Sequence, residues 1–497
     1  MTNMEDSSVK FLSKVFDLLN DGDVFDSSDK CDSEKSMIDF RHPSELKKLI
    51  PFSLTDNIET QHDDDEIEKL CRDVIKFSVK TNNRNCHNQL FGGLNFYGLG
   101  AEWMTSALNT SQYTYEMAPV FTLIEEAVVN MSLQLFGFKN GDGILCPGGS
   151  TSNMYGIHTA RQSKYPETRL KGNPEGLVIF TSEDAHYSIL KGATFLGIGT
   201  KNLIAVKTNE SGQMDVDDLE MKINDSIKNN LKPFLVNATC GTTVLGAFDD
   251  LNKIADVCER YNLWLHVDAC LGGSAIFSRK HKHLLNGCER ANSISWNPHK
   301  TMGVPLQCSL FMINQKGILH ECNSSSATYL FQQDKFYDTS YDTGDKSLSC
   351  GRKVDAFKFW IMFKKHGMIG FEAMIDNAFE KASYFADQVK SREGFELVVP
   401  IQYTSICFYY VPEYMRKQEQ RDETWWKGMS KVTAFIKEQM VMNGNLMLGY
   451  SPLASKNLGN FFRMVVTCQP LATYESMDFV LNEIEKIARK FEFHDHF

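Results

Sequence analysis

Leu263-Trp264-Leu265-His266-Val267-Asp268 is a short apolar run that stops on an acid, and the fold can be read outward from it. A few apolar residues bounded by turn signals suit a strand buried on both faces. Runs of the same kind recur at Leu177-Val178-Ile179-Phe180, Phe234-Leu235-Val236, Ser293-Ile294-Ser295-Trp296 and residues 308–313. Between several of them lie amphipathic stretches such as residues 251–258, whose spacing predicts helix. Strands alternating with helices predict a largely parallel sheet covered on both faces, so the fold class is α/β. After about residue 370 the rhythm changes. A helix over 371–389, strand-like segments near 406–410 and 461–466, and a closing helix from about 477 to 491 predict a smaller C-terminal α+β domain.

Composition excludes several functions. A net charge of −11 with no basic stripe argues against nucleic acid. No apolar run approaches a membrane span, and the first residues lack a basic secretory leader, so the expected compartment is the cytoplasm. Thirteen cysteines without CxxC spacing read as reduced thiols, with no disulfide framework and no metal site. Residues 21–36, rich in Asp, Ser and Lys, suggest a mobile stretch. The acidic patch at Asp63-Asp64-Asp65-Glu66 suits the first turn of a helix.

In an open α/β sheet, ligands bind beyond the carboxyl ends of the strands. Four polar residues fall there: His186, Thr239, Asp268 and Lys300. Lys300 follows Asn297-Pro298-His299, where Pro298 forbids further strand. Taken alone it is an ordinary loop lysine. Pro147-Gly148-Gly149-Ser150-Thr151-Ser152-Asn153 opens a helix, and its glycines and free N–H groups suit a phosphate. An ordinary capped turn has the same look, and the motif matches neither of the common nucleotide patterns. A lysine amine, a strand-end acid and a phosphate cradle together describe a site for pyridoxal 5'-phosphate: the lysine joins the cofactor as a Schiff base and the acid keeps its pyridine nitrogen protonated.

The sequence resembles the group II pyridoxal-phosphate-dependent decarboxylases, in the acidic amino-acid branch that holds glutamate, cysteine sulfinate and aspartate decarboxylases. The resemblance runs from about residue 60 to the C-terminus. It is carried by Asn88-Gln89-Leu90, Asn109-Thr110-Ser111-Gln112-Tyr113-Thr114-Tyr115-Glu116, Gly241-Thr242-Thr243, His266-Val267-Asp268-Ala269, Asn297-Pro298-His299-Lys300, residues 340–346 and Asn460-Phe461-Phe462-Arg463. It implies an aspartate-aminotransferase-like fold (fold type I) and a homodimer with shared active sites. The chain then divides into a flexible N-terminal segment (1–60), a dimer-interface segment (61–114), a large cofactor-binding domain (115–375) and a small C-terminal domain (376–497). By the same resemblance, Lys300 is the Schiff-base lysine and Asp268 the pyridinium partner. His186 stacks on the ring, Ser150 and Thr151 hold the phosphate with His299 close by, and Thr239 lies near the ring's phenolic oxygen.

Loss of the α-carboxylate leaves a carbon that must be protonated, and Tyr329 in the segment 323–333 matches the tyrosine of the family's catalytic loop. Arg463 matches the arginine that grips an acidic group, with Gln89 as the accompanying amide. Tyr113 stands where glutamate decarboxylases typically have Phe. Its added hydroxyl favours a side chain one methylene shorter than glutamate. The expected reaction is decarboxylation of L-aspartate to β-alanine and of cysteine sulfinate to hypotaurine. Glutamate decarboxylation is the alternative, with an aminotransferase or a catalytically silent binding relative as rival readings. Two departures stand out: Leu271 replaces a common tryptophan, and Asn85-Cys86-His87 stands where relatives often carry aromatic residues.

Overall fold

Twelve strands form two sheets in the computed structural model, which describes residues 2–26, 36–55, 62–418 and 420–491. In chain order they are β1 (Cys86–His87), β2 (Asp142–Cys146), β3 (Leu177–Ser182), β4 (Leu203–Val206), β5 (Lys232–Thr239), β6 (Trp264–Asp268), β7 (Ser293–Trp296), β8 (Ser309–Ile313), β9 (Phe395–Leu397), β10 (Ser405–Tyr410), β11 (Met447–Leu453) and β12 (Leu458–Val465). The larger sheet has the order β2-β8-β7-β6-β5-β3-β4. Pairings from β7 across to β4 are parallel, and β8 runs antiparallel to both of its neighbours. Strands β3, β6, β7 and β8 are buried along their whole length, which is why they read as unbroken apolar runs.

Register is what positions the site. Thr239 pairs with Asp268, and Asp268 with Ser295. The polar ends of three adjacent strands therefore stand level at one edge of the sheet, facing the loop that carries Lys300. The helices needed here are α1 (Thr2–Asp21), α2 (Pro43–Leu49), α3 (Asp64–Phe77), α4 (Phe96–Leu108), α5 (Pro119–Leu135) and α6 (Gly149–Lys164). Helix α3 starts where the acidic patch predicts, with Asp63 capping the Glu66 N–H and Glu66 returning to the Asp63 N–H.

The smaller sheet has the order β1-β11-β12-β10-β9. Its outer strand β1 comes from far upstream and pairs in parallel with β11, so the segment 61–114 adds an edge to the C-terminal sheet. The helix Ala356–Ser391 spans the predicted 375/376 boundary, with a break at Gly367 (φ 59°). Within residues 1–60, α1 and α2 are helical, and α1 is tied to α3 by Lys14 and Glu68 at 2.9 Å. Most of the stretch 21–36 lies outside the described residues. Among the described residues twelve cysteines are free, no His/Cys/Asp/Glu group is arranged to hold a metal, and no helix is long and apolar enough to cross a membrane.

Candidate active site

A cavity of about 230 Å³ opens at the strand-end edge, walled by Gly149, Ser150, Asn153, His186, Thr239, Asp268, Asn297, His299 and Lys300, with Leu90, Thr243 and Leu271 among its other walls. Five segments of chain deliver these groups: the first turn of α6, the loop after β3, the end of β5, the end of β6, and the loop between β7 and β8. Lys300 is fixed at its main chain, its N–H donating to Asn297 O at 3.0 Å.

Asp268 is the electrostatic centre. It is 4 % exposed, and its Oδ1 accepts from the Cys270 N–H at 3.0 Å while Oδ2 accepts from Asn153 Nδ2 at 2.8 Å. Burial pushes its carboxyl up, but the charge of Lys300, together with the hydrogen bond from Cys270, outweighs that and holds it below the usual carboxylate range. Asn153 must turn its amide nitrogen to this anion, so its oxygen faces His266 Nε2 at 3.1 Å. Burial pushes the His266 imidazole down to about 4, so the ring is neutral and carries its proton on Nε2. Its Nδ1 then accepts from Ser293 Oγ at 2.8 Å, and that hydroxyl accepts from Trp264 Nε1 at 2.9 Å. Every donor in the chain from Trp264 to Asn153 points toward Asp268.

A second branch fixes His186. Asn153 Nδ2 also donates to Ser188 Oγ at 2.9 Å, which lies 2.8 Å from His186 Nδ1. The Ser188 N–H donates to the same Nδ1 at 3.2 Å, so the imidazole proton sits on Nε2. Burial, reinforced by Lys300, lowers the His186 pKa against the pull of Asp268 and keeps a neutral ring in the cavity wall. Burial also pushes His299 down to about 4, and its Nδ1 lies against the Cys308 main chain.

Two observations test the fit of a phosphate-bearing pyridine. A Cβ on Gly149 would fall 2.6 Å from Asn297 Nδ2 and 2.8 Å from Cys270 Sγ, so only glycine lets the first turn of α6 stand this close to the wall. The N–H groups of a helix's first turn lack intrahelical acceptors and suit an anion. Thr239 is 3 % exposed, lines the cavity, and its Oγ1 has no partner. A buried hydroxyl left open is unfavourable unless a ligand satisfies it. The cradle, the open hydroxyl, the acid and the amine fit pyridoxal phosphate.

Of the residues picked out by sequence, Lys300, Asp268, His186, Ser150, Thr239 and His299 share the cavity. Thr151 is in the same turn of α6 but does not line it. Arg463, on β12, reaches the wall indirectly: Nη1 donates to Thr243 O at 3.0 Å, while Nε is buried without a partner. Gln89 is exposed beside Leu90. Tyr113 lies outside the cavity, its carbonyl accepting from the Gly344 N–H at 2.8 Å. Tyr329 is 78 % exposed and also lies outside it. Sequence reasoning missed Asn153, His266 and Ser188 as site residues. Asn153 sits one helical turn after Gly149 on the same face, which was the available signal. Asp249 was missed too: its carboxylate accepts from the Thr239 N–H at 2.7 Å and the Met214 N–H at 2.7 Å, holding the end of β5, and burial raises it to about 6.

Residues 43–411 match the pyridoxal-dependent decarboxylase conserved domain. The chain belongs to the pyridoxal-dependent decarboxylase family. It is 48 % identical over 461 residues to the acidic amino acid decarboxylase GADL1 of Mus musculus, covering 92 % of this chain and 82 % of that one. It is 48 % identical over 459 residues to the cysteine sulfinic acid decarboxylase of Homo sapiens, covering 92 % of each. The crystal structure of mouse CSAD superposes with a TM-score of 0.92 at 43 % identity, covering 97 % of this chain and 98 % of that one. The protein is thus a pyridoxal-phosphate-dependent carboxy-lyase of the acidic amino-acid branch, with the fold type I that the sequence implies.

Proposed function

We propose that the protein removes the α-carboxylate of short acidic amino acids, converting L-aspartate to β-alanine and cysteine sulfinate to hypotaurine. The observation that carries this reading is Arg463: a guanidinium anchored on the cavity wall through Thr243, with a buried Nε still open and no carboxylate paired to it. Such a group suits a carboxylate or sulfinate at the far end of a substrate. Similarity to proteins named for acidic amino acids and for cysteine sulfinic acid supports it.

When bound, pyridoxal phosphate supplies an electron-poor ring that accepts the electron pair left by departing carbon dioxide. The chain's residues divide the remaining work. Ser150, Thr151 and the first turn of α6 hold the phosphate, with His299 beside them. Asp268, held below the usual carboxylate range beside Lys300, would keep a proton at the ring nitrogen, and the neutral His186 ring would pack against the cofactor's face. Thr239 Oγ1 would donate to the phenolic oxygen. Lys300 would hold the cofactor through its side-chain amine. The Tyr329 phenol gives its proton to the substrate's α-carbon after carbon dioxide leaves. Gln89 and Tyr113 shape the acid pocket with Arg463.

Tyr113 and Tyr329 lie outside the cavity of their own chain, an arrangement that fits a homodimer in which a second copy completes each site. The exposed apolar residues Trp103, Met104 and Leu108 of α4, with Val120 and Leu123 of α5, suit such a contact. Two measurements test the proposal. Amine product is quantified from aspartate, cysteine sulfinate and glutamate, and a clear preference for glutamate overturns the substrate assignment. Borohydride reduction and peptide mapping should place a pyridoxyl group on Lys300; a different lysine or no adduct overturns the site assignment.

A further inference from the structure

Two cations meet on one residue at the edge of the cavity. Lys437, on the helix Glu423–Asn443, donates through Nζ to Asn88 Oδ1 at 2.7 Å. Arg463 Nη2 donates to the main-chain oxygen of the same Asn88 at 3.5 Å, while its Nη1 holds Thr243 in the cavity wall. Leu90, two residues along, lines the cavity. Asn88 is therefore the node that joins the C-terminal helix, β12 and the wall.

Neither cation is paired with a carboxylate among the described residues. The titratable groups nearest Lys437 on the elements packed around it do not supply an anion. Burial pushes the Cys86 thiol of β1 up and holds His87 of the same strand near 4, so both are neutral. Arg463 of β12 is itself a cation, and Glu483 of the C-terminal helix Tyr474–Phe491 is tied to Asn445 and Lys486. Glu438, the next residue on the same helix, is exposed. Burial lowers the Lys437 ammonium to about 8 and lowers Arg463 as well. Partly buried positive charge without a counter-ion is unfavourable, and it persists where a ligand brings the missing charge. The hydrogen bond has a second consequence. An ammonium has no acceptor, so the atom of Asn88 facing it is the oxygen, and the amide nitrogen is left to offer donors elsewhere.

We infer that Lys437 is a positioning residue for the substrate's acid group: it fixes Asn88, and through Asn88 the seat of Arg463, and adds the positive potential that selects a doubly acidic amino acid. This rests on the acidic-substrate reading above. Lys437 does not line the cavity, so it acts through Asn88 and not on the reacting atoms. Its charge is lost as pH rises through its pKa, and affinity for an acidic substrate falls with it.

The test uses the full-length, cofactor-loaded protein and its K437M and K437R variants. Steady-state kinetics on aspartate and cysteine sulfinate are followed from pH 6 to 9.5, with cofactor absorbance and thermal unfolding as controls. K437M is expected to raise KM for both acids about tenfold or more while kcat stays within about threefold, the split expected when ground-state binding alone is removed. The parent's rise in KM above pH 8 should disappear in K437M, and in K437R it should move to higher pH with KM restored. A folded, loaded K437M with the parent's KM and pH profile overturns the inference. So does a K437R that fails as K437M does, because that marks a packing role. If K437M does not fold, K437R decides: an alkaline limb that stays where the parent has it overturns the inference. A parent that turns over neither acid removes the substrate reading and this inference together, and shows itself before any variant is made.

Discussion

Asn153→Leu is the substitution whose effect follows most directly from the geometry. It keeps the branched shape of the side chain, with somewhat more bulk, and removes the donor to Asp268 Oδ2 at 2.8 Å, the donor to Ser188 and the acceptor for His266. A hydrogen bond to a charged group contributes about 1.5–3 kcal/mol. Its loss removes a donor that favours the charged form, so the Asp268 carboxyl rises. Asp268 is held below its ordinary value in the folded protein, so it contributes stability that is present above the unfolded carboxylate range and lost as pH falls through the folded pKa. The variant meets that loss at higher pH. In kcat/KM profiles from pH 4 to 8, paired with thermal unfolding at each pH, the acid limb should move to higher pH. Activity at pH 7 should fall about tenfold, the equivalent of one such bond. Asn153→Asp should move the limb further, because two touching carboxylates cannot both ionise. If Asn153→Leu lowers the unfolding temperature yet neither variant moves the acid limb, Asn153 serves packing alone and does not tune Asp268.

Arg463→Met should raise KM for aspartate and cysteine sulfinate about 10- to 100-fold in steady-state kinetics, the loss of one charge-assisted contact. Tyr329→Phe should leave cofactor absorbance and unfolding unchanged, since the side chain is exposed, while kcat falls about 10²- to 10⁴-fold as for loss of a general acid. Tyr113→Phe should shift relative kcat/KM toward glutamate by about 10-fold or less, a one-methylene discrimination; no shift in competition assays would remove Tyr113 from the pocket. Arg352→Leu strands Glu125, which Arg352 pairs with through Nη1 at 3.0 Å in full burial, and should destabilise the fold by about 3–5 kcal/mol in denaturant titration.

Much of this was legible because buried parallel strands leave a plain trace. The predicted run 293–296 is β7, and the runs at 177, 234 and 263 became β3, β5 and β6 with ends shifted by one to three residues. Asp268, Thr239, His186 and Lys300 could be placed because each follows such a run. Strand β2 was not read, although it is the antiparallel partner of β8, and the reversal of β8 has no signature in an apolar run that looks the same in either direction. Asn153, Ser188 and His266 escaped for another reason. Their importance lies in hydrogen bonds across 27 to 115 residues of sequence, and no local pattern reports those. Tyr329 and Tyr113 were read from resemblance, and a single chain does not bring them to Lys300. The edge strand β1 is two residues long, too short for any periodicity.

That edge strand carries a lesson for protein engineering. Cys86 and His87 pair with Met447 and Leu448, and the residue after them takes hydrogen bonds from Lys437 and Arg463. The determinants of the acid pocket are thus split between two pieces of gene about 350 codons apart, yet they fold as one body. A chimera that exchanges the C-terminal region of two relatives while leaving residues 85–90 behind would break this body at its seam. Recombination designs that aim to transfer substrate preference should move both pieces together, with crossovers before residue 85, after residue 90 and before residue 423.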